Sequence, residues 1–333
     1  MTTELVDGDN LLTIGYHGLK NHFHKGKHIG GIFHFLNTLR RTFDIYHLDK
    51  ICVFWDGEDG NSQRKEFYPF YKNKPQKAKT ELELENYLYQ RNRVKQYLEE
   101  IYARQCQFKN CESDDCIAYY VQNSPNEKKI IFSSDGDLTQ LVSDKTQIYH
   151  PMKHKLYGPR DIYEFEHENV LIENVKIIKM LCGDPSDNIT GIKNLGIKRL
   201  IGLFPEITTQ ILTLDYVRNK SNYLLEQDGD NKTLQNLLAG ETKFGVLGED
   251  FFTTNSRMID LRTPLLTEEA KAGVLSLIND NLDTEGRSYK NTMRMMMEDG
   301  LFHCLPKSDD AWMNFLNPFL RLTRKEKNSR YNK

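Results

Sequence analysis

Three short apolar runs, Glu4–Val6, Ile51–Trp55 and Ile130–Ser133, each lead into an acidic residue followed by glycine: Asp7-Gly8, Asp56-Gly57 and Asp135-Gly136. A fourth run, Gln147–His150, stops at Pro151. Helical patterns lie between them, over Gly30–Phe43, Leu82–Ala103, Asp114–Val121 and Asp137–Val142. Strand alternating with helix predicts an α/β fold with a mostly parallel, twisted central sheet flanked by helices. Such sheets bind ligands beyond the carboxyl ends of their strands. Asp7, Asp56 and Asp135 therefore converge in space although they are far apart in sequence.

Nine carboxylates fall in five such clusters: Asp7; Asp56; Glu112, Asp114 and Asp115; Asp135 and Asp137; Asp184 and Asp187. Like charges gathered in one place repel strongly unless cations neutralise them. Hard divalent cations with oxygen ligands, Mg²⁺ above all, suit such a site. Ser113 reads as an N-cap, which puts Glu112 to Asp115 at the positive end of a helix dipole.

The chain has 333 residues, room for one large domain or two modest ones, and a net charge of −2. No apolar run approaches the roughly 18 residues of a membrane span. The start, MTTELVDGDN, lacks the pattern of a signal peptide. Six cysteines without a Cys-x-x-Cys pair read as free thiols in a reducing cytoplasm. The histidines at 22, 24, 28 and 34 read as part of a solvated loop. The near-neutral total hides basic stretches: six basic residues and one acid lie between Arg64 and Lys79, and the same holds from Arg321 to Lys333. Beyond His150, Val170–Leu181, Thr267–Asn279 and Tyr289–Asp299 read as helices. Residues 227–250 read as a linker or long loop, and the last dozen residues as disordered.

The order of these motifs resembles the 5′-nuclease superfamily of flap endonucleases and 5′→3′ exonucleases. The residues that carry the resemblance are Leu5-Val6-Asp7-Gly8, Phe54-Trp55-Asp56-Gly57, Arg64-Lys65-Glu66-Phe67-Tyr68-Pro69-Phe70-Tyr71-Lys72, Glu112-x-Asp114-Asp115, SSDGDLTQL from Ser133, and Gly183-Asp184-x-x-Asp187-Asn188. Within the superfamily the chain is most similar to the RNase H of T4-like bacteriophages. The resemblance implies a PIN-like catalytic domain over 1–183 with a helical arch at about 60–105. It also implies a helical duplex-binding domain over 184–320 with a helix-3-turn-helix element, followed by a basic tail over 321–333.

The resemblance also implies roles. Asp7, Asp56, Glu112 and Asp114 would hold a first Mg²⁺, and Asp135, Asp137, Asp184 and Asp187 a second, with Asp115 between; Mn²⁺ would substitute. Arg64 and Lys72 would be catalytic, at the scissile phosphate. Lys65, Tyr68, Tyr71 and Lys74 of the arch would bind single strand, the tyrosines by stacking. Gly191, Gly196, Lys198 and Arg199 would grip duplex phosphates. In many relatives the same loop binds K⁺; here Asn194 stands where a middle glycine is usual, which leaves K⁺ open. Pro75 replaces an arginine usual in relatives.

The implied activity is metal-dependent 5′→3′ exonuclease and 5′-flap cleavage of DNA and RNA-primed DNA, with RNA primers removed during phage replication in the host cytoplasm. The implied partners are DNA and RNA–DNA duplexes with a free 5′ end or flap, a single-stranded-DNA-binding protein and a sliding clamp, with the chain itself monomeric. The chain begins almost at its first strand, so no N-terminal clamp peptide is expected. The apolar stretch Trp312–Leu320 reads as a packed terminal helix in preference to a partner-binding segment. Two alternatives are a non-catalytic DNA-binding protein on the same scaffold and a haloacid-dehalogenase-type phosphatase. The complete acidic set opposes the first. The second requires an Asp-x-Asp nucleophile followed by Thr or Val, whereas Asp7-Gly8-Asp9 is followed by Asn10.

Overall fold

A computed structural model describes residues 1–73, 80–227, 229–308 and 310–329. Strands β1 (Thr2–Asp7), β4 (Lys50–Trp55), β5 (Arg104–Gln107), β6 (Lys128–Phe132), β7 (Thr146–His150) and β8 (Lys155–Tyr157) form a sheet in the order β5-β4-β1-β6-β7-β8. All neighbours are parallel except β7 and β8. Two minor strands, β2 (Phe23–His24) and β3 (Lys27–His28), make a hairpin between helices. His28 is buried there and bonded to Leu19 and Gln90, so this segment is more ordered than a solvated loop.

Period-2 alternation builds the two faces of the sheet. In β4, Ile51, Val53 and Trp55 point to one core, and Cys52 and Phe54 to the other. Helices α1 (Gly8–Gly18), α2 (Gly30–Ile45) and α4 (Glu81–Glu100) cover the first face. Helix α5 (Ser113–Asn123) covers the second, beside the short helix α3 (Ser62–Phe67). Each fully buried side chain of the kind of Phe54 or Leu5 contributes about 1.5–3 kcal/mol. Because β1 and β4 lie side by side in register, Asp7 and Asp56 emerge at the same edge.

The chain beyond β8 divides differently from the expected 184–320 unit. Strands β9 (Ile162–Phe165) and β10 (Glu168–Leu171) pair, and helices α6 (Val175–Cys182), α7 (Ile197–Leu203), α8 (Leu214–Gln227), α9 (Lys232–Ala239) and α10 (Glu249–Ile259) follow. Residues from Tyr157 to Phe252 share their own apolar core. The expected helix at 170–181 is thus a strand end followed by a shorter helix, because the first residues of that apolar run pair with β9. The expected linker at 227–250 contains α9, which Asn231 caps and whose Leu234 and Leu237 enter this core.

Helices α11 (Glu268–Asn279), α12 (Tyr289–Glu298) and α13 (Ala311–Ser329) then return to the sheet. Helix α11 joins the α5 face, while α12 and α13 join the α2 face. A sheet needs both apolar faces covered, and these amphipathic helices complete the cover. Phe315, Leu316 and Phe319 are buried, so the Trp312–Leu320 stretch is a packed helix. The expected disordered tail is helical through Ser329. Leu322 is buried, and Glu326 pairs with Arg104 at 2.8 Å. None of the helices among the described residues is long and apolar enough to cross a membrane.

Candidate active site

Asp7 ends β1 and caps α1, accepting a bond from the Asn10 amide at 3.2 Å. Asp56 follows β4 and accepts from the Ser113 amide at 2.8 Å. The cap of α5 is Glu112, not Ser113 as expected, and Asp114 and Asp115 stand in its first turn. Asp135 follows β6 and accepts from the Asp137 amide at 2.8 Å. Asp184 lies in the short strand β11 (Gly183–Asp184), which pairs with β12 (Ile189–Thr190). This pairing demands glycine at two places. A Cβ on Gly183, which has φ +80°, would lie 2.4 Å from the Gly191 nitrogen, and one on Gly191 would lie 2.0 Å from the Cys182 oxygen.

Asp7, Asp56, Glu112, Asp114 and Asp135 line one cavity of about 740 Å³, together with Lys72. Asp137, Asp184 and Asp187 form a second group, whose ligand atoms lie within 4.8 Å of one another. Asp135, expected with that second set, lies with the first. Asp115 lies apart from both, 1% exposed and bound by Arg64.

Arg64 is itself buried. It donates to Glu112 at 2.5 Å, to Asp115 at 2.5 and 3.2 Å, and to the Met258 carbonyl at 3.1 Å. With four N–H bonds to these partners, Arg64 orders carboxylates in the structure, whereas the resemblance implies a place at the scissile phosphate. Lys72 pairs with Glu112 at 2.5 Å but keeps 38% of its side chain exposed at the cavity. Its φ of +49° is strained for a lysine. Its amide donates to the Asp187 carbonyl at 2.9 Å, and Asn188 Nδ2 donates to the Phe70 carbonyl at 2.8 Å. The segment that follows α3 is therefore tied to the Asp184–Asn188 loop.

Tyr71 is 3% exposed and donates to Glu112 at 3.2 Å, so it supports the site from beneath and offers no open stacking face. Phe70, at 61%, is the exposed ring instead. Lys65 and Tyr68 are partly exposed, and Lys74 lies outside the described residues. Gly191 is partly exposed, and Gly196, Lys198 and Arg199 are exposed at the start of α7.

Two further elements were not legible as site residues. Lys179, on α6, donates to Asp137 at 2.7 Å and pairs with Asp184 at 2.8 Å. Its only signal in the sequence is that it is one of two lysines, with Lys176, inside a largely apolar helical run. Asp9 forms a two-bond pair with Arg91 of α4 at 2.7 and 2.9 Å, and Arg91 also donates to the Asp56 carbonyl at 2.9 Å. This pair clamps α4 to the strand end that carries Asp56.

Burial, then the charges of Asp56 and Asp135, pushes the Asp7 carboxyl up to about 8. Burial, ahead of its acidic neighbours, drives Asp114 well above the carboxylate range, and its Oδ1 is buried with no hydrogen-bond partner. Burial raises Asp137 to about 7, against the pull of Lys179. Burial pushes Glu112 and Asp184 up as well. Arg64 and Lys72 outweigh it at Glu112, and Lys179 outweighs it at Asp184, so both lie below their usual range. An all-oxygen donor set with an orphaned buried carboxylate oxygen fits hard divalent cations.

A family model described as "5'-3' exonuclease, N-terminal resolvase-like domain" matches residues 2–167. A 5'-3' exonuclease of Mycoplasma pneumoniae is 32% identical over 187 residues, 54% of this chain and 58% of the relative. One from Mycoplasmopsis pulmonis is 30% identical over 200 residues, 58% of this chain and 63% of the relative. The matched region is thus under two thirds of each relative's length. The T5 5'-exonuclease with bound zinc superposes with a TM-score of 0.62 at 19% identity, over 90% of this chain and 99% of that one. A T5 D15 flap endonuclease in complex with DNA and metal ions superposes at 0.61 and 21% identity, over 90% and 100%. At these identities the two structures speak for the fold, while the family model covers the strand ends from Asp7 to Asp137. Residues 2–167 thus carry the 5'-3' exonuclease N-terminal, resolvase-like domain, and the chain has the fold of the T5 5'-exonuclease.

Proposed function

We propose that this chain is a metal-dependent 5′→3′ exonuclease and 5′-flap endonuclease. The observation that carries this reading is the carboxylate-lined cavity with Lys72 at its wall and the arch rooted beside it. Asp7, Asp56, Glu112, Asp114 and Asp135 would hold one divalent cation, and Asp137, Asp184 and Asp187 a second. Mg²⁺ is the natural ion for such oxygen ligands, with Mn²⁺ as substitute. When bound, the cations supply Lewis-acid stabilisation to the attacking and leaving oxygens of the phosphodiester. Lys72 adds a positive charge where the phosphate oxygens accumulate negative charge. Arg64 and Tyr71 fix Glu112, and Arg91 fixes the Asp56 backbone, so that the ligands are held before substrate arrives.

Lys65, Tyr68 and Phe70 face the entering single strand, and Lys198 and Arg199 the duplex phosphates. Removal of RNA primers in phage replication, and work alongside a single-stranded-DNA-binding protein and a sliding clamp, rest on the sequence resemblance to RNase H of T4-like phages. The reading is tested with a 5′-flap duplex in Mg²⁺ or Mn²⁺. Wild type should cleave, and Asp135→Asn/Asp137→Asn should bind the duplex while losing cleavage by at least about 10²-fold. A wild type that binds but never cleaves with either ion is a binding protein, and the enzymatic reading then fails.

A further inference from the structure

Residues 241–248, Glu-Thr-Lys-Phe-Gly-Val-Leu-Gly, form a small hairpin of strands β13 (Glu241–Thr242) and β14 (Gly245–Val246). Its tip is apolar and bare: Phe244 is 72% exposed, Val246 64% and Leu247 46%. A hairpin tip that only turns the chain uses small polar residues, so three adjacent exposed apolar side chains need another account. The tip is also rigidly built. Thr242 Oγ1 accepts from the Phe244 amide at 3.1 Å and donates to the Gly245 carbonyl at 3.2 Å. Gly245, at φ +120°, adopts backbone that a side chain would strain.

The hairpin is bolted to the turn before α7. The Lys193 amide donates to the Glu241 carbonyl at 2.8 Å, and the Lys193 ammonium pairs with the Glu241 carboxylate at 2.5 Å. Ile192 bridges to Thr242, which is buried. Lys243, Gly191, Lys193 and Asn194 share the lining of a cavity of about 380 Å³ whose wall holds two lysines and no carboxylate. The hairpin therefore adjoins the turn that leads into α7, and with Lys193 paired to Glu241 it is Lys243 that offers a cation to a polyanion there.

We propose that this hairpin is a further duplex-DNA contact, with Lys243 meeting a backbone phosphate and Phe244 resting on the apolar sugar edge beside it. The inference rests on the nuclease reading and extends it to a segment outside the helix–turn element. Neither side chain has the paired donor and acceptor needed to read a base edge, so the contact is independent of sequence. It lengthens the grip on the duplex beyond the exposed lysine and arginine of α7.

The test is equilibrium binding of a catalytically silent Asp135→Asn/Asp137→Asn protein to a 5′-flap duplex across a salt series. Adding Lys243→Ala should lower the slope of log K against log salt by about 1, the signature of one lost phosphate contact. Adding Phe244→Ala should weaken binding several-fold without changing that slope. Neither substitution should alter binding of a single strand of the same sequence. If both variants bind the duplex as their parent does, with the same slope, the inference is overturned while the nuclease reading stands. That result would leave the apolar tip to a protein partner. If the parent protein and wild type alike fail to bind a flap duplex, the nuclease reading itself falls. Circular dichroism of each variant guards against misfolding, and Phe244→Leu, which keeps apolar contact, should recover part of the affinity.

Discussion

The two carboxylate groups of the site differ in what neutralises them. In the Asp137–Asp184–Asp187 group a protein cation is built in: Lys179 lies 2.7 Å from Asp137 and 2.8 Å from Asp184, with 8% of its side chain exposed. In the cavity group, Glu112 alone has basic partners among the described residues, while Asp7 and Asp114 are held by burial in a protonation-prone state. The first arrangement is partly neutralised by the chain itself. The second depends on protons or on cations from solution. The same residue type thus behaves oppositely a few residues apart, because a buried charge is tolerated only beside its complement.

The largest expected effect breaks the built-in pair. Lys179→Met in chelator should cost about 3–5 kcal/mol in denaturant unfolding, because Asp137 and Asp184 lose a buried partner. Asp114→Asn should act with the opposite sign, raising stability in chelator by relieving an uncompensated charge. If both variants destabilise alike, the two groups do not differ as described.

A smaller effect follows from pH. Asp7 and Asp137 have folded values of about 8 and about 7, above the ordinary 3.8. Raised carboxyls stabilise the fold fully below their unfolded value, and that stability is lost as pH rises through the folded value. Chelator-treated protein should therefore lose stability between pH 6 and pH 8, by about 1.4 kcal/mol per pH unit for each proton at stake. Saturating Mg²⁺ should flatten the slope by replacing those protons. Glu4, buried against Thr42 outside the cavity and raised to about 8, should keep a residual slope even then. A Tm that climbs over this range in chelator would contradict the cavity electrostatics.

The smallest stability change is expected at Lys72. Its ion pair is partly solvated, so Lys72→Ala should cost no more than about 1 kcal/mol. Cleavage should nevertheless fall by about 10²–10³-fold with flap binding largely retained. A matching fall in binding would make Lys72 a docking residue and not a transition-state one.

Much of this site was readable in the chain. Asp7 and Asp56 announce themselves because an apolar strand run ends in an acid, and a parallel sheet gathers such ends on one edge. The roles within the basic stretch were not readable. Arg64 and Lys72 look alike as cations, yet one is 6% exposed among carboxylates and the other borders the cavity. Tyr71 and Phe70 are neighbours, and which ring turns inward depends on where Glu112 lies. Lys179 reads as no more than a helix residue, because nothing local to Val175–Cys182 shows that two aspartates from other segments meet its ammonium.

Local pattern by itself determined the strands β1, β4, β6 and β7, the helices over 30–45 and 81–100 and the carboxylates at the strand ends, since hydrophobic period and strand-end chemistry are short-range properties. Only the tertiary structure decided that 157–252 forms its own core, that α11 to α13 return to cover the sheet, and that the acids divide into a group gathered around Lys179 and a cavity group whose Arg64 and Lys72 pair with Glu112. Those outcomes depend on which surfaces and charges meet across long sequence separations, and a buried charge takes its character from that meeting.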